Sequence, residues 1–385
     1  MKKLLILGST GSIGRQALEV VKSLPEEFAV SSLAAGSNAQ EMIRQINDFQ
    51  PSLVAVRDPV AAREVRDACP RTQVLEGEEG VLRLCTETQA DLALVAVVGV
   101  VGLPMTLTCI NAGMDIALAN KETMVAGGKL VGEAVKMAGV QLYPVDSEHS
   151  AIAQCLEGAP KGSAERLILT ASGGPFRGMS RKQLTNITPE QALRHPTWRM
   201  GSRVTVDSAS LVNKGMEVME ARWLFEILPN NIDVLVHPQS IVHSMVSFFD
   251  GAILAQLGAP DMRLPIQWAL TGKQRLSGPA KKLSLAELSE LSFIPPDGEV
   301  FRGLPLAYEA LEAGQGACVG YNAADEVAVE AFLAGRIGFL QIYDLLSSAM
   351  EEGMKMSCKT VDEVLEADQI LRENTQARIE RNGIC

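Results

Sequence analysis

No run of apolar residues in this 385-residue chain approaches the ~18 needed to cross a bilayer, so no membrane-spanning helix is expected. Basic tracts are also missing. With 46 acidic against 35 basic residues the net charge is −11, which argues against nucleic acid or an anionic membrane surface as the main partner. Any anionic ligand must then be held by individual lysines and backbone amides. The seven cysteines (Cys69, Cys85, Cys109, Cys155, Cys318, Cys358 and Cys385) are odd in number, scattered and free of any C-x-x-C. That sets aside a disulfide framework and a structural zinc site, and it fits a reducing cytoplasm. Internal repeats and low-complexity segments are absent. The opening Met1 to Leu7 imitates a signal peptide, but its apolar run is shorter than the roughly 7–15 residues such a segment needs and enters a glycine-rich turn. It reads as a buried first strand.

What is present points to two or three domains, since 47% hydrophobic residues over this length can fill more than one core. The strand Leu4 to Leu7 runs into Gly8-Ser9-Thr10-Gly11-Ser12-Ile13-Gly14 and then a helix, Arg15 to Ser23. A glycine-rich turn between a first strand and a helix lets backbone N–H groups approach a pyrophosphate, the dinucleotide-loop context. The second strand, Phe28 to Ala35, ends in Gly36-Ser37-Asn38, with no Asp or Glu to accept a ribose 2′-hydroxyl. A 2′-phosphate, hence NADPH, is favoured, although no Arg or Lys occupies this turn and Ser37, Asn38 and backbone amides are left to hold it. Strands and helices alternate through Ser52 to Val56, Pro59 to Ala68, Asp91 to Val97, Leu103 to Asn111 and Asp115 to Ala119, predicting a doubly wound parallel sheet. Asn120-Lys121-Glu122 stands at the end of the last of these strands, where such sheets place ligands; a plain helix start is an equally good account of it.

The carboxylates come next. Tyr143-Pro144-Val145-Asp146-Ser147-Glu148-His149 ends an apolar run on two acids separated by one serine. Residues two apart on an extended segment share a side, so Asp146 and Glu148 can converge on a hard cation, while the plainer alternative is a helix start capped by Asp146. A second acidic segment, Asp207 to Glu217, would put Asn213 and Glu217 on one helix face with Lys214 beside them. All four histidines and two of the three tryptophans lie between His149 and His243, concentrating polar chemistry there. Within it, Ser172-Gly173-Gly174-Pro175-Phe176 exposes amides to an anion, with a simple turn as the alternative. His195-Pro196-Thr197-Trp198-Arg199-Met200-Gly201-Ser202 reads as a lid over a substrate, with a plain buried tryptophan at Trp198 as the commoner alternative. Strands near Val234 to His237, Ile241 to Phe249 and Ala252 to Leu257 suggest an antiparallel sheet and an oligomer interface. Residues 276–300 read as a linker broken at Pro295-Pro296-Asp297-Gly298. Beyond it Leu304 to Ala313, Ala323 to Gly335, Leu340 to Glu351 and Val361 to Arg381 have helical spacing, a bundle with a supporting role.

The motifs Gly8 to Gly14, Asn120-Lys121-Glu122, Pro144 to His149, Ser172 to Phe176, His195-Pro196 and Asn213 to Glu217, in this order and over nearly the whole chain, resemble the 1-deoxy-D-xylulose 5-phosphate reductoisomerase family. The resemblance implies an α/β protein with an N-terminal Rossmann-like NADPH domain (1–145), an α+β catalytic domain (146–275), a linker (276–300) and a C-terminal helical bundle (301–385). It implies conversion of 1-deoxy-D-xylulose 5-phosphate to 2-C-methyl-D-erythritol 4-phosphate with NADPH and Mg²⁺ or Mn²⁺, in isoprenoid precursor synthesis, by a cytoplasmic homodimer. The lack of a transit peptide would suit a bacterium. By the same resemblance Asp146, Glu148 and Glu217 are the metal ligands, and Lys121 and His195 are catalytic with them. Substrate falls to Lys121, Ser147, Glu148, Ser172, His195, Trp198, Ser208, Asn213, Lys214 and Glu217, with His243 a possible neighbour. Thr10, Gly11, Ser12, Ile13, Gly36, Ser37, Asn38, Asn120, Glu122 and Gly201 are implied cofactor contacts. The chemistry agrees, because a site of carboxylates suits Mg²⁺ or Mn²⁺ over Zn²⁺. Two rivals remain: a metal-independent NADP oxidoreductase of the homoserine or semialdehyde dehydrogenase type, possibly with a cysteine nucleophile, and a non-catalytic NADPH-sensing protein.

Overall fold

The computed structural model describes residues 1–198 and 200–382; Arg199 and Cys385, both named above, lie outside the described residues. The chain forms two compact units. The first comprises Met1–Thr123, Val131–Ser150 and Asp261–Lys281, and the second Met124–Leu130, Ala151–Pro260 and the chain from Lys282 onward.

The first unit is built on seven parallel strands, β1 (Lys2–Leu7), β2 (Phe28–Ala35), β3 (Leu53–Val56), β4 (Gln73–Glu76), β5 (Leu92–Val95), β6 (Asp115–Leu118) and β7 (Leu142–Pro144). Their order is β4-β3-β2-β1-β5-β6-β7. Leu4 to Leu7, Leu53 to Val56 and Leu92 to Val95 are wholly buried runs, the pattern of strands covered by helices on both faces. Strand order reverses between β1 and β5, so the crevice beyond their carboxyl ends is the binding position of an open parallel sheet. Several helices begin where the sequence supplies a cap. Asn38 accepts from the Glu41 N–H ahead of Ala39–Phe49, Asp58 accepts from Ala61 N–H ahead of Pro59–Ala68, and Asn120 accepts from Thr123 N–H ahead of Lys121–Ala138. The helix Ala39–Phe49, β4 and the helix Gly77–Glu87 were not anticipated; β4 buries only Val74 and Leu75, too short a run for periodicity to reveal.

The helix Arg263–Leu270 belongs to this unit, although its position in the chain suggested the middle domain. Ile266, Ala269 and Leu270 join the core formed by residues such as Leu18 and Tyr143. Its C-terminal end is tied down by the Lys2 ammonium, which donates to the Leu270 carbonyl at 3.2 Å.

The second unit holds a four-stranded sheet of β8 (Ala164–Ala171), β9 (Ile232–Val236), β10 (Val242–Phe248) and β11 (Ile253–Leu257), in the order β11-β10-β8-β9. β10 pairs antiparallel with both β8 and β11. β9 departs from the expected antiparallel arrangement and runs parallel to β8 on its far side. The cause is the long connection before it, which includes the helices Ser202–Ala209 and Val212–Leu224 and is therefore able to make a crossover. Residues 282–300 are irregular apart from a short turn at Leu285–Glu287 and a bridge between Val236 and Ile294. The helices Gly303–Ala313, Gln315–Leu333, Gln341–Gly353 and Val361–Asn382 follow. The second begins at Gln315 rather than near Ala323, because the glycines that look like breakers are contact points: a Cβ on Gly320 would lie 2.4 Å from the Ala349 carbonyl oxygen.

Candidate active site

In the first unit the loops after β1, β2, β5, β6 and β7 all leave the same edge of the sheet, since all these strands are parallel. Thr10, Gly11, Ser12 and Ile13 form the turn into the helix Ser12–Ser23. No side chain caps that helix at Gly11 and no acid sits in its first turn, so its N-terminal amides are left to a ligand. An anion such as a pyrophosphate fits there by charge and by hydrogen bonding. Gly36, Ser37 and Asn38 follow β2 at the same edge, with the Asn38 carbonyl oxygen Oδ1 already engaged in capping.

Asn120 and Glu122 are buried and spent on local structure. The Asn120 amide donates to Val97 O at 3.0 Å, Gly99 O at 3.1 Å and Glu122 Oε2 at 2.8 Å, and Glu122 Oε1 accepts from Gly99 N–H at 3.0 Å. This network stitches the end of β6 to the loop after β5. The pair Leu118 and Pro144 ends the β6–β7 ladder, and just beyond it the Lys121 ammonium meets Asp146 Oδ2 in an ion pair. Asp146 Oδ1 meanwhile accepts from Glu148 N–H at 3.0 Å and His149 N–H at 3.3 Å. The segment is therefore a capped helix start, Ser147–Cys155, and not the extended strand on which the spacing argument for Asp146 and Glu148 rested. The helix keeps Glu148 beside the cap by another route, and Ser147 Oγ donates to Glu148 Oε2.

The second unit gathers the other residues. On the helix Val212–Leu224 the expected face forms: Asn213 Nδ2 donates to Glu217 Oε1 at 2.6 Å, and the Lys214 ammonium pairs with Glu217 Oε2. Lys214 and Glu217 are 4% and 1% exposed, so this charge pair is essentially out of water. Asn213 Oδ1 is buried with no hydrogen-bond partner among the described residues, an acceptor left for a hydroxylated or cationic ligand. Ser172 lies 2.9 Å from His195 Nε2, while His195 Nδ1 accepts from Thr197 N–H at 3.2 Å and Trp198 N–H at 2.9 Å. Two N–H donors on Nδ1 place the imidazole proton on Nε2, which then donates to Ser172. Burial pushes the His195 pKa down, in agreement with a neutral ring. Gly174 takes φ +65, and a Cβ there would come within 2.9 Å of Ser208 O and Ala209 Cα; the glycine loop thus abuts the helix carrying Ser208. Trp198 is half-buried with its ring 6.1 Å from that of His243, and Gly201 precedes the helix Ser202–Ala209.

The sequence reading missed how the C-terminal helices support these residues. Arg203, one residue into the helix carrying Ser208, reaches Asp325 Oδ2 at 3.3 Å and Glu326 Oε1 at 3.2 Å. Tyr343 and Tyr321 donate to Ser210 O at 3.2 Å and Val212 O at 3.3 Å, holding the turn between the two helices. Only the Arg203 and Asp207 spacing of one helical turn hinted at this in the sequence.

The donor types fit a hard cation, since carboxylates with an amide oxygen are the ligands Mg²⁺ and Mn²⁺ prefer. Asp146 and Glu217 each already take a lysine ammonium, as a low-dielectric site demands of its anions. Cysteine chemistry is disfavoured. Burial pushes the Cys155 thiol up to about 11 and Cys318 to about 12, leaving little thiolate at neutral pH.

Family profiles match three stretches of the chain: 1-deoxy-D-xylulose 5-phosphate reductoisomerase over residues 4–128, the C-terminal domain of that reductoisomerase over 142–225, and a second DXP reductoisomerase C-terminal domain over 257–374. A 1-deoxy-D-xylulose 5-phosphate reductoisomerase from Caldanaerobacter subterraneus is 48% identical over 376 residues, covering 97% of this chain and 98% of the relative. A reductoisomerase from Zymomonas mobilis solved in complex with NADPH is 36% identical with a TM-score of 0.92, covering 98% of this chain and 99% of that one. Another DOX-P reductoisomerase, solved with NADPH, fosmidomycin and magnesium, has a TM-score of 0.94 at 35% identity, covering 99% of this chain and 98% of that one.

Proposed function

The chain belongs to the 1-deoxy-D-xylulose 5-phosphate reductoisomerase family, and from that premise we propose that it converts 1-deoxy-D-xylulose 5-phosphate to 2-C-methyl-D-erythritol 4-phosphate with NADPH and Mg²⁺ or Mn²⁺, a step toward isoprenoid precursors. The observation that carries this is the whole-chain likeness to a reductoisomerase solved with NADPH, fosmidomycin and magnesium. When bound, the nicotinamide supplies a hydride and the cation draws electron density from carbonyl and hydroxyl oxygens.

The chain's own residues then divide the remaining work. Asp146, Glu148 and Glu217 are the proposed cation ligands, supported by their donor chemistry and by the lysines that already balance Asp146 and Glu217. Lys121 holds substrate oxygens near the reacting carbons, and Ser147 orients Glu148 by its hydrogen bond. Ser172, Ser208, Asn213 and Lys214 hold phosphate and hydroxyl oxygens, in keeping with the glycine loop packed against the helix of Ser208. His195 and Trp198 belong to a lid from His195 to Ser202 that excludes water. Thr10 to Ile13, Gly36, Ser37, Asn38 and Gly201 line the cofactor, while Asn120 and Glu122 serve it by fixing the loop at Gly99.

The assembly we infer is a homodimer. β11 is a sheet edge with Ile253 and Leu254 about half exposed and Phe249 beside it 71% exposed, an apolar edge that a second copy would cover. No helix of the described residues is long and apolar enough to cross a membrane. A cytoplasmic setting agrees with the cysteines of the described residues, which are all free thiols. The decisive test is NADPH oxidation with 1-deoxy-D-xylulose 5-phosphate, with and without Mg²⁺. Metal-dependent consumption is expected; oxidation that survives a chelator would return the metal-independent oxidoreductase, and binding without turnover the sensor.

A further inference from the structure

NADPH differs from NADH by a 2′-phosphate whose charge a selective site has to balance, and the turn after β2 contains no lysine or arginine. The structure places one nearby. β2 and β3 are parallel neighbours whose ladder ends at Ala35 opposite Val56. Beyond that pair, Arg57 N–H donates to Ala35 O at 2.9 Å and Asp58 N–H to Gly36 O at 3.0 Å, so the first residues after β3 are sewn to the Gly36-Ser37-Asn38 turn.

The other charges around the turn are occupied. Asp58 turns its carboxylate to the helix Pro59–Ala68, accepting from Ala61 N–H at 2.8 Å. Glu41, in the first turn of the helix after Asn38, is neutralised by Arg44 through contacts of 2.6 and 3.0 Å, and accepts from Gln45 at 3.1 Å. It therefore repels an incoming anion less, and Arg44 is committed to it. Arg57 is exposed and makes no ion pair or side-chain hydrogen bond among the described residues. Arg15 acts on Glu41 from the first helix, so it is a competitor that has to be tested.

We propose that Arg57 is the residue that selects a 2′-phosphorylated cofactor, supplying from the end of β3 the positive charge that the β2 turn lacks. The guanidinium suits this role, because its planar fork pairs with phosphate oxygens and stays charged at any working pH. This deepens the NADPH reading and rests on it.

Calorimetric titration of the full-length, metal-free protein with adenosine 2′,5′-bisphosphate and with adenosine 5′-monophosphate reads the contribution of the 2′-phosphate directly. Wild type should prefer the bisphosphate. Arg57→Ala should weaken bisphosphate binding by about tenfold or more while leaving the monophosphate unchanged, Arg57→Lys should restore part of the loss, and Arg15→Ala should retain most of the preference. The kcat/KM ratio for NADPH over NADH should fall by a similar factor in Arg57→Ala, through KM rather than kcat. Three results would overturn the assignment: unchanged discrimination in Arg57→Ala, equal loss of both ligands in that variant, or loss of discrimination in Arg15→Ala alone. A wild type that does not discriminate would instead overturn the NADPH reading, so the two failures are told apart.

Discussion

Replacing Glu217 by Gln keeps the shape of the side chain and removes its charge, which separates its two roles. Without metal, Glu217 is 1% exposed and is the carboxylate partner of the Lys214 ammonium. Removing one member of a buried ion pair costs about 3–5 kcal/mol, an upper bound here because Lys214 keeps other contacts. For a unit of this size that corresponds to a fall in Tm on the order of 10 °C. The second effect is on the cation. At a Mg²⁺ concentration one hundred times its Kd, wild type gains about 2.7 kcal/mol of stability, and a hundredfold weaker site leaves only about 0.4 kcal/mol of that gain. Thermal unfolding across a Mg²⁺ titration measures both numbers in one series. The double variant Lys214→Met with Glu217→Gln should recover part of the metal-free Tm without recovering the Mg²⁺ response, because it removes the ammonium that has lost its carboxylate but does not restore the missing ligand. Turnover should fall by orders of magnitude in either variant, at tenfold per about 1.4 kcal/mol of lost stabilisation. An Mg²⁺-induced rise in Tm as large in Glu217→Gln as in wild type would remove Glu217 from the metal site.

The lid should respond to ligand and to acid. With Trp223 and Trp268 changed to Phe, Trp198 emission should shift when a phosphonate substrate mimic and Mg²⁺ bind, and proteolysis at Arg194 and Arg203 should slow; indifference of both signals would place Trp198 in the core. His195 is held neutral, so its folded pKa lies below the usual 6.5, and the stability it contributes is complete above about pH 6.5 and lost as pH falls through that depressed value. Trp198 emission in the ligand-free protein should accordingly be flat above pH 6.5 and change below it, and the change should vanish in His195→Gln. Gly174→Ala forces a side chain to φ +65 and against Ser208 O, costing about 1–3 kcal/mol and raising KM more than it lowers kcat; unaltered kinetics would detach the glycine loop from phosphate binding. Leu254→Glu should convert the proposed homodimer to monomers in light scattering, and a dimer that survives it does not use the β11 edge.

Much of the first unit was legible because its signals are local. A buried strand of Leu and Ile followed by a glycine-rich turn and a helix that opens at Pro59 each act over a few residues, and each corresponds to an element in the structure. The spacing of Asn213, Lys214 and Glu217 likewise needed only the helical period to predict one face. Where the sequence misled, it was because two local conformations fit the same letters. Asp146 and Glu148 would share a side on a strand, yet Asp146 caps a helix that starts at the end of β7, with the Lys121 ammonium reaching it from the helix after β6. Tertiary structure alone decided the parallel pairing of β9 with β8, the return of Arg263–Leu270 to the first core and the bond between Arg203 and the C-terminal helices. Each of these joins residues far apart in the chain, and no periodicity within either segment encodes its partner. The same holds for Arg57: in sequence it is an exposed residue after a short strand, and only the β2–β3 ladder brings it to the turn that lacks a cation.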